Sequence, residues 1–379
     1  MVKVVIAPDS FKECMTAQEA ATAIEKGFQQ VFEKDIVIDK IPMADGGEGT
    51  TQSLADALNG KIYTTEVTGP MGQKVMASYA VSGDKETAIM EMAEASGLSL
   101  VPAEERNPLT ASTYGTGELI KAALDHNVSK IIIGIGGSAT NDGGAGMIKA
   151  LGGKLLDHKD NEIEEGGAAL KELSRLDLEG LDPRLKHVNI TVACDVTNPL
   201  TGPKGASAVY GPQKGATGEM VEELDEALKN FGMILETSTG KPVSDIPGAG
   251  AAGGLGAGLL ACLQAELESG VTIALQETSF HDRVKDADLV ITGEGKIDSQ
   301  TIYGKTPIGV AQAAKKHGCY VVALCGKLEH GYEPVLERGI DAAFSLVPGP
   351  VSLDDAMKHG KHYLEDLSRN IAAIIKLQM

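Results

Sequence analysis

Hydrophobic and polar positions follow two rhythms along this chain. Short β-branched runs at 2–7 (VKVVIA) and 36–41 flank a stretch of helical periodicity that ends near Phe32. Thr16 and Glu19 stand three residues apart, the pattern of a reciprocal helix cap. Pro42 closes the second run, and a helix to about residue 58 follows the loop 44–50. Strand, helix, strand and helix in succession predict a parallel sheet. From Lys61 the rhythm changes. Runs at 61–67, 75–81 and 87–92 are separated by turn residues such as Gly69-Pro70 and Gly83-Asp84, with no helix between, which predicts an antiparallel meander. A helix at 117–127, a strand at 130–134, a helix at 144–151, a strand at 188–194, and helices at 219–236 and 251–268 follow. Near Asp288 the first rhythm returns, with strands at 289–292, 320–324 and 342–346 and helices at 307–317, 334–338 and 354–377. The two ends share one style and the middle another. The expected architecture is a two-domain α/β protein. A discontinuous parallel-sheet domain is built from 1–66 and 285–379, and a mixed α/β domain, 67–284, is inserted in it.

Composition narrows the partners. Of 379 residues 42% are hydrophobic but only 4% aromatic, and tryptophan is absent. Cores must therefore be built from Ala, Val, Ile and Leu, which suits sheets covered by helices. The net charge of −19 repels nucleic acid and anionic membrane surfaces, so neither is an expected partner. Five cysteines without a CxxC pair support neither a disulfide framework nor a zinc cluster. The N-terminus lacks the long apolar region of a signal peptide. The longest uncharged run, 246–265, is largely Gly and Ala, so no membrane span and a cytoplasmic location are expected.

The segment 131–146, IIIGIGGSATNDGGAG, carries the strongest chemical signal. Glycines free the backbone to approach a ligand, and the exposed N–H groups make an anion site. Ser138 and Thr140 add hydroxyls, and Asp142 is a candidate metal contact. Other loops expected after strands repeat the theme: Asp9-Ser10-Phe11-Lys12, Asp45-Gly46-Gly47-Glu48, Asp195-Val196-Thr197-Asn198 and Gly293-Glu294-Gly295-Lys296-Ile297-Asp298. On a parallel sheet such loops line the ligand crevice. Carboxylates there can hold Mg²⁺ or take a proton from a hydroxyl, and phosphoryl transfer also needs cations. Lys12, Lys214, Lys296 and Lys305 are the available lysines. The stretch 299–306, SQTIYGKT, lacks the leading glycine of a P-loop. Residues 248–253, GAGAAG, follow no clear strand. Residues 134–139, GIGGSA, with Asp157 downstream, fit a dinucleotide fingerprint and keep a hydroxy-acid oxidoreductase open.

Together these segments resemble the bacterial glycerate kinase family of 2-phosphoglycerate-forming type. The resemblance rests on IAPDSFKECMTAQEAA (6–21), ADGGEGT (44–50), TYGTGELI (113–120), GIGGSATNDGGAGM (134–147), CDVTNPLTGPKGA (194–206), YGPQKGA (210–216), GAGAAGGLGAGL (248–259) and TGEGKIDSQTIYGKTPIGVA (292–311). One departure, Cys14-Met15, replaces a more usual small polar and apolar pair. The resemblance implies a flavodoxin-like domain with an inserted second domain, an active site between them, and ATP- and Mg²⁺-dependent phosphorylation of D-glycerate. The roles it suggests place Asp195 as the base and Lys12 in the transition state. Asp9, Ser10, Phe11, Asp45, Gly46, Gly47 and Asn198 would contact substrate. Gly136, Gly137, Ser138, Thr140, Asn141, Lys214, Gly253 and Gly254 would hold the nucleotide, and Glu294 and Asp298 the metal. A homo-oligomer is compatible with this reading. Beside it stand the Rossmann-type oxidoreductase and a non-catalytic sugar-acid binding protein.

Overall fold

The computed structural model describes residues 2–377. Its chain divides into two compact units. Unit 1 takes the chain up to Asp45, Gln52–Leu58 and everything from Ser269, while unit 2 comprises Gly46–Thr51 and Asn59–Glu268.

Unit 1 is a five-stranded, wholly parallel sheet in the order Ala342–Ser345, Tyr320–Leu328, Leu289–Ile297, Val2–Pro8, Ile36–Lys40. Counted along the chain this is the doubly wound, flavodoxin-like order 2-1-3-4-5. Its switch point lies between Val2–Pro8 and Leu289–Ile297. The β-branched Val and Ile of the central strands are buried on both faces, as a parallel sheet under helices demands. Helix Ala17–Phe32 begins with the predicted reciprocal cap. Thr16 Oγ1 accepts from the Glu19 N–H at 3.2 Å, and Glu19 Oε2 accepts from the Thr16 N–H at 2.9 Å. This helix packs on Leu353–Lys376 so closely that a Cβ at Gly27 would lie 2.5 Å from the Glu365 carbonyl oxygen.

Unit 2 holds a six-stranded mixed sheet in the order Glu266–Glu268, Asn189–Ala193, Lys130–Gly134, Thr87–Glu91, Lys74–Val81, Lys61–Thr68. The last three strands form the expected antiparallel meander and the first four are parallel. Its core gathers Leu119, Ile131, Ile133, Met147, Phe231 and Leu255.

Several local expectations change. The crossings between units fall at 58/59 and 268/269 rather than at 66/67 and 284/285, with a short excursion into unit 2 between 45/46 and 51/52. Lys61–Thr68 pairs along its whole length with Lys74–Val81, which ties it to unit 2. Helix Gly270–Glu277 packs on Thr306–Lys315, where Val271 fills the space a Cβ would need at Gly309. The single helix expected at 251–268 is instead a turn at Ala251–Gly254, a helix Leu255–Cys262 and the strand Glu266–Glu268. Positive φ at Ala252, Gly253, Gly254 and Gln264 breaks the helical path on both sides. The strand expected to stop at Thr292 runs on to Ile297, so Glu294 belongs to a strand and not to a loop. No helix among the described residues is long and apolar enough to cross a membrane.

Candidate active site

In unit 1, polar groups collect around the switch point. The chain leaves Val2–Pro8 with the Asp9 N–H bonded to the Gly293 carbonyl at 2.8 Å, which fixes Asp9 beside the neighbouring strand. Its carboxyl is 8% exposed. Oδ1 accepts from the Ser10 N–H and Oδ2 from Thr306 Oγ1, both at 2.6 Å. Burial first, and then the charge of Asp45, push this carboxyl up to about 7, against the pull of Thr306, Ser10 and Lys12. Across the switch point Glu294 is also pushed up to about 7, again chiefly by burial, with Lys305 opposing and Asp9 and Asp45 adding to the rise. Thr301 Oγ1 donates to Glu294 Oε1 at 3.2 Å, and Lys305 Nζ stands 3.9 Å from it. The result is a cluster of three acids sharing two lysines. Lys12 is exposed, Ser10 half-buried, and Phe11 buried below them.

Asp298, an expected metal ligand, is bonded within its own turn and to Lys296. Its Oδ1 accepts from the Gln300 and Thr301 N–H groups at 2.9 and 3.2 Å, and its Oδ2 pairs with Lys296 at 2.7 Å. These partners hold its carboxyl below the usual range and make it the cap of the turn after Ile297. Among the described residues no three His, Cys, Asp or Glu side chains form a metal cage.

In unit 2 the glycine-rich segment leaves strand Lys130–Gly134. Two backbone bonds pin it, from the Leu98 N–H to Gly137 O at 2.8 Å and from the Ala139 N–H to Ser96 O at 3.0 Å. Gly136 and Gly137 are exposed, and Gly137 has φ +72°, the region glycine enters without strain. Gly46 and Gly47 lie against the same segment, since a Cβ at Gly134 would meet Gly46 O at 2.9 Å and one at Gly136 would meet Gly47 Cα at 3.7 Å. The loop is held from beneath by charge. Lys214 is 1% exposed, and its Nζ donates to Ser138 Oγ at 2.7 Å and to Thr140 O at 2.6 Å. Desolvation brings its ammonium down to about 7, with Asp142 opposing. Because Ser138 Oγ accepts from Lys214, its own proton is left to donate elsewhere.

Asp142 is fully buried and accepts from Thr113 N–H and Oγ1, both at 2.8 Å, and from the Gly144 and Gly146 N–H groups at 3.2 and 3.1 Å. These bonds anchor the loop. Asn141 Nδ2 donates to Ser207 Oγ at 2.9 Å, while Asn141 Oδ1 and Thr140 Oγ1 are buried without a partner. Gly253 and Gly254, expected at phosphates, are buried under the loop. A Cβ at Gly253 would sit 2.0 Å from Thr140 O, and one at Gly254 would sit 3.0 Å from Gly143 Cα. Their missing side chains allow two backbones to touch. Asp195 is exposed two residues beyond strand Asn189–Ala193. Asn198 braces its loop, donating to Lys204 O and accepting from Tyr210 Oη, both at 2.7 Å.

The dinucleotide fingerprint does not survive this geometry. Helix Ala145–Ala150 starts well past Ala139, the last position of the fingerprint, so the helix that follows the strand does not open at the GIGGSA turn. Asp157, the supposed ribose acid, caps its own turn by accepting from the Lys159 and Asn161 N–H groups at 2.7 and 2.9 Å.

Two residues of these constellations were not singled out from the sequence. Thr306 sits in the stretch set aside as a failed P-loop, next to Lys305, which was among the lysines expected near phosphate. Glu91 ends an apolar strand and accepts from the Thr51 and Gly49 N–H groups at 2.8 and 3.3 Å, which orients the turn after Gly47. A lone acid closing an apolar run was the available signal.

Known proteins match this chain over almost all of its length. The profile of the family described as Glycerate kinase family matches residues 4–376. The chain belongs to the glycerate kinase family. A glycerate kinase of Halalkalibacterium halodurans is 60% identical over 374 residues, 99% of this chain and 98% of that one. A protein named glycerate 2-kinase from Escherichia coli is 51% identical over 378 residues, 100% of this chain and 99% of that one. The crystal structure described as that of a glycerate kinase 2 from Salmonella typhimurium LT2 shares the fold at TM-score 0.93 and 50% identity, covering 100% of this chain and 99% of that one. Membership in the glycerate kinase family sets aside the oxidoreductase and the non-catalytic binding protein.

Proposed function

We propose that this chain transfers the γ-phosphoryl group of ATP to the 2-hydroxyl of D-glycerate, releasing ADP, in the cytoplasm. The supporting observation is full-length identity of 51% to a relative named glycerate 2-kinase. The chemistry suits the groups present. Both reactants are anions and the chain carries −19 overall, so binding depends on local cations. Lys12 and Lys305 supply them in unit 1. In unit 2 the Gly136 and Gly137 N–H groups and the Ser138 hydroxyl are donors for an anionic oxygen, preorganised by Lys214.

Mg²⁺ fits the unit 1 cluster. Asp9 and Glu294 are buried acids that resist ionisation, and a divalent cation offsets that cost. Glu294 and Asp45 would hold it together with phosphate oxygens, as Mg²⁺ prefers to a closed protein cage. When bound, it neutralises charge on the phosphates. Asp195 is the proposed base that receives the hydroxyl proton of glycerate as the oxygen attacks phosphorus.

The test is ADP release with ATP, Mg²⁺ and D-glycerate, with L-glycerate and no acceptor as controls, and enolase added to the product. Immediate enolase turnover is expected. A product that enolase accepts only after a mutase is added moves the phosphate to the 3-hydroxyl. No ADP with any hydroxy acid overturns the reading.

A further inference from the structure

Adenosine presents a flat apolar face, whereas the groups around Asp9, Glu294 and Gly136 are charged side chains and bare backbone. We propose that a separate cavity in unit 1, walled by Phe11, Leu346, Leu353 and Met357, binds the adenosine of ATP. The assignment rests on the kinase reading above.

The cavity has a volume of about 420 Å³, within the range of small-molecule sites. Part of its lining comes from the carboxyl ends of the parallel strands, and the rest from the start of helix Leu353–Lys376. Phe11 and Lys12 follow Val2–Pro8, Gly295 lies late in Leu289–Ile297, Gly326–Leu328 close Tyr320–Leu328, and Leu346 follows Ala342–Ser345. That edge is where open α/β sheets bind ligands, and it also carries Asp9 and Glu294. Ser345 Oγ donates to Gly326 O at 3.1 Å and accepts from the Val347 N–H at 3.3 Å, so this lining hydroxyl is satisfied within the protein. The Met357 thioether adapts to a ring face. Leu353 is 75% exposed and Val351 41%, large apolar side chains at the mouth that a bound base would cover. Lys12 lines the same cavity and brings a cation to it for the triphosphate.

Two alternatives fail on chemistry. Glycerate is small and bears an oxygen on every carbon, so apolar walls would not select it. A larger apolar cavity of about 620 Å³, lined by Val2, Leu289 and Tyr320, lies at the amino ends of the strands beside Asp288 and Asp341. Carboxylates there repel a triphosphate.

The chain has no tryptophan, so Leu353→Trp places a sole indole at the mouth of the full-length protein. Its emission is expected to be quenched by ATP, ADP and adenosine, and to ignore inorganic triphosphate and D-glycerate. Ala356→Phe, which fills the cavity, is expected to raise KM for ATP about tenfold without changing KM for D-glycerate. Quenching by triphosphate but not adenosine, or an indole blind to ATP, overturns the assignment, as does an unaltered KM for ATP in a folded Ala356→Phe. These outcomes are separate from failure of the kinase reading, in which the wild type releases no ADP.

Discussion

Thr306→Val probes the buried acids directly. Thr306 is fully buried and gives its only hydroxyl proton to Asp9 Oδ2 at 2.6 Å. Valine keeps the shape and deletes the donor. A hydrogen bond to a charged group contributes about 1.5–3 kcal/mol, and about 1.4 kcal/mol corresponds to one pH unit. The neutral carboxyl also bonds the hydroxyl, so the lower end applies and Asp9 rises by about one unit from its position near 7. If Asp9 and Glu294 must be ionised to receive the magnesium nucleotide, kcat/KM for ATP climbs with pH through about 7 in the wild type. Two coupled acids share that limb, so its midpoint belongs to the pair. In Thr306→Val the limb moves about one unit towards alkali. At pH 7 the ionised fraction falls from about a half to about a tenth, a loss of about fivefold that disappears above pH 9. Stability follows the same linkage. Asp9 is raised above its unfolded value of 3.8, so its contribution is complete below about pH 4 and is lost as pH rises through about 7. In the variant that loss extends about one unit higher. The assay is a pH–rate profile of ADP release at limiting ATP, with thermal unfolding across the same pH range. Superimposable acid limbs would falsify the argument.

Lys214→Met removes the support beneath the glycine loop and leaves Thr140 O without its donor, at a cost of about 1–3 kcal/mol. Lys214 titrates near 7 instead of 10.5, so the wild type gains stability between those values, with a slope of up to about 1.4 kcal/mol per pH unit. Thermal unfolding of the variant should lack that gain, and parallel curves for the two proteins would refute it. Gly253→Ala combines φ +69° with a Cβ 2.0 Å from Thr140 O. Backbone strain alone costs about 1–2 kcal/mol, so scanning calorimetry should show a melting point lower by several degrees. An unchanged melting point would mean that the two backbones are not in contact. Asp195→Asn should leave KM values near wild type and lower kcat by about 10²–10⁴; normal turnover removes Asp195 as the base. Lys12→Met should lower kcat by about 10² if its charge meets the transferring phosphoryl group, and wild-type kinetics would exclude it.

Much of the plan was legible in order and periodicity. The β-branched runs, the Thr16–Glu19 cap and the turn residues of the meander are local signals, and local sterics and hydrogen bonding decide them. The split into a parallel domain from both ends and a mixed middle was visible as a change of rhythm. Its crossings were not. They depend on which strand Lys61–Thr68 pairs with and which helix Val271 packs on, and both are long-range choices. The helix expected at 251–268 failed because glycine there serves contact with Thr140 and Gly143, not local propensity.

The same division runs through the chemistry. Residue types and spacing alone determined that glycine turns, acids and lysines recur after strands, and that the segments carrying them resemble one kinase family. Only the tertiary structure decided what each acid contacts. Asp9 and Glu294 lie on either side of the switch point, and burial, which sequence does not encode locally, raises both. Asp142 and Asp298 have the same chemistry but are satisfied by neighbouring N–H groups and, for Asp298, by Lys296. Lys214, expected to hold the nucleotide, is buried with its ammonium bonded to Ser138 Oγ and Thr140 O. A side chain's identity sets what it can donate or accept; its solvent exposure and partners, fixed by residues far away in the chain, set what it does.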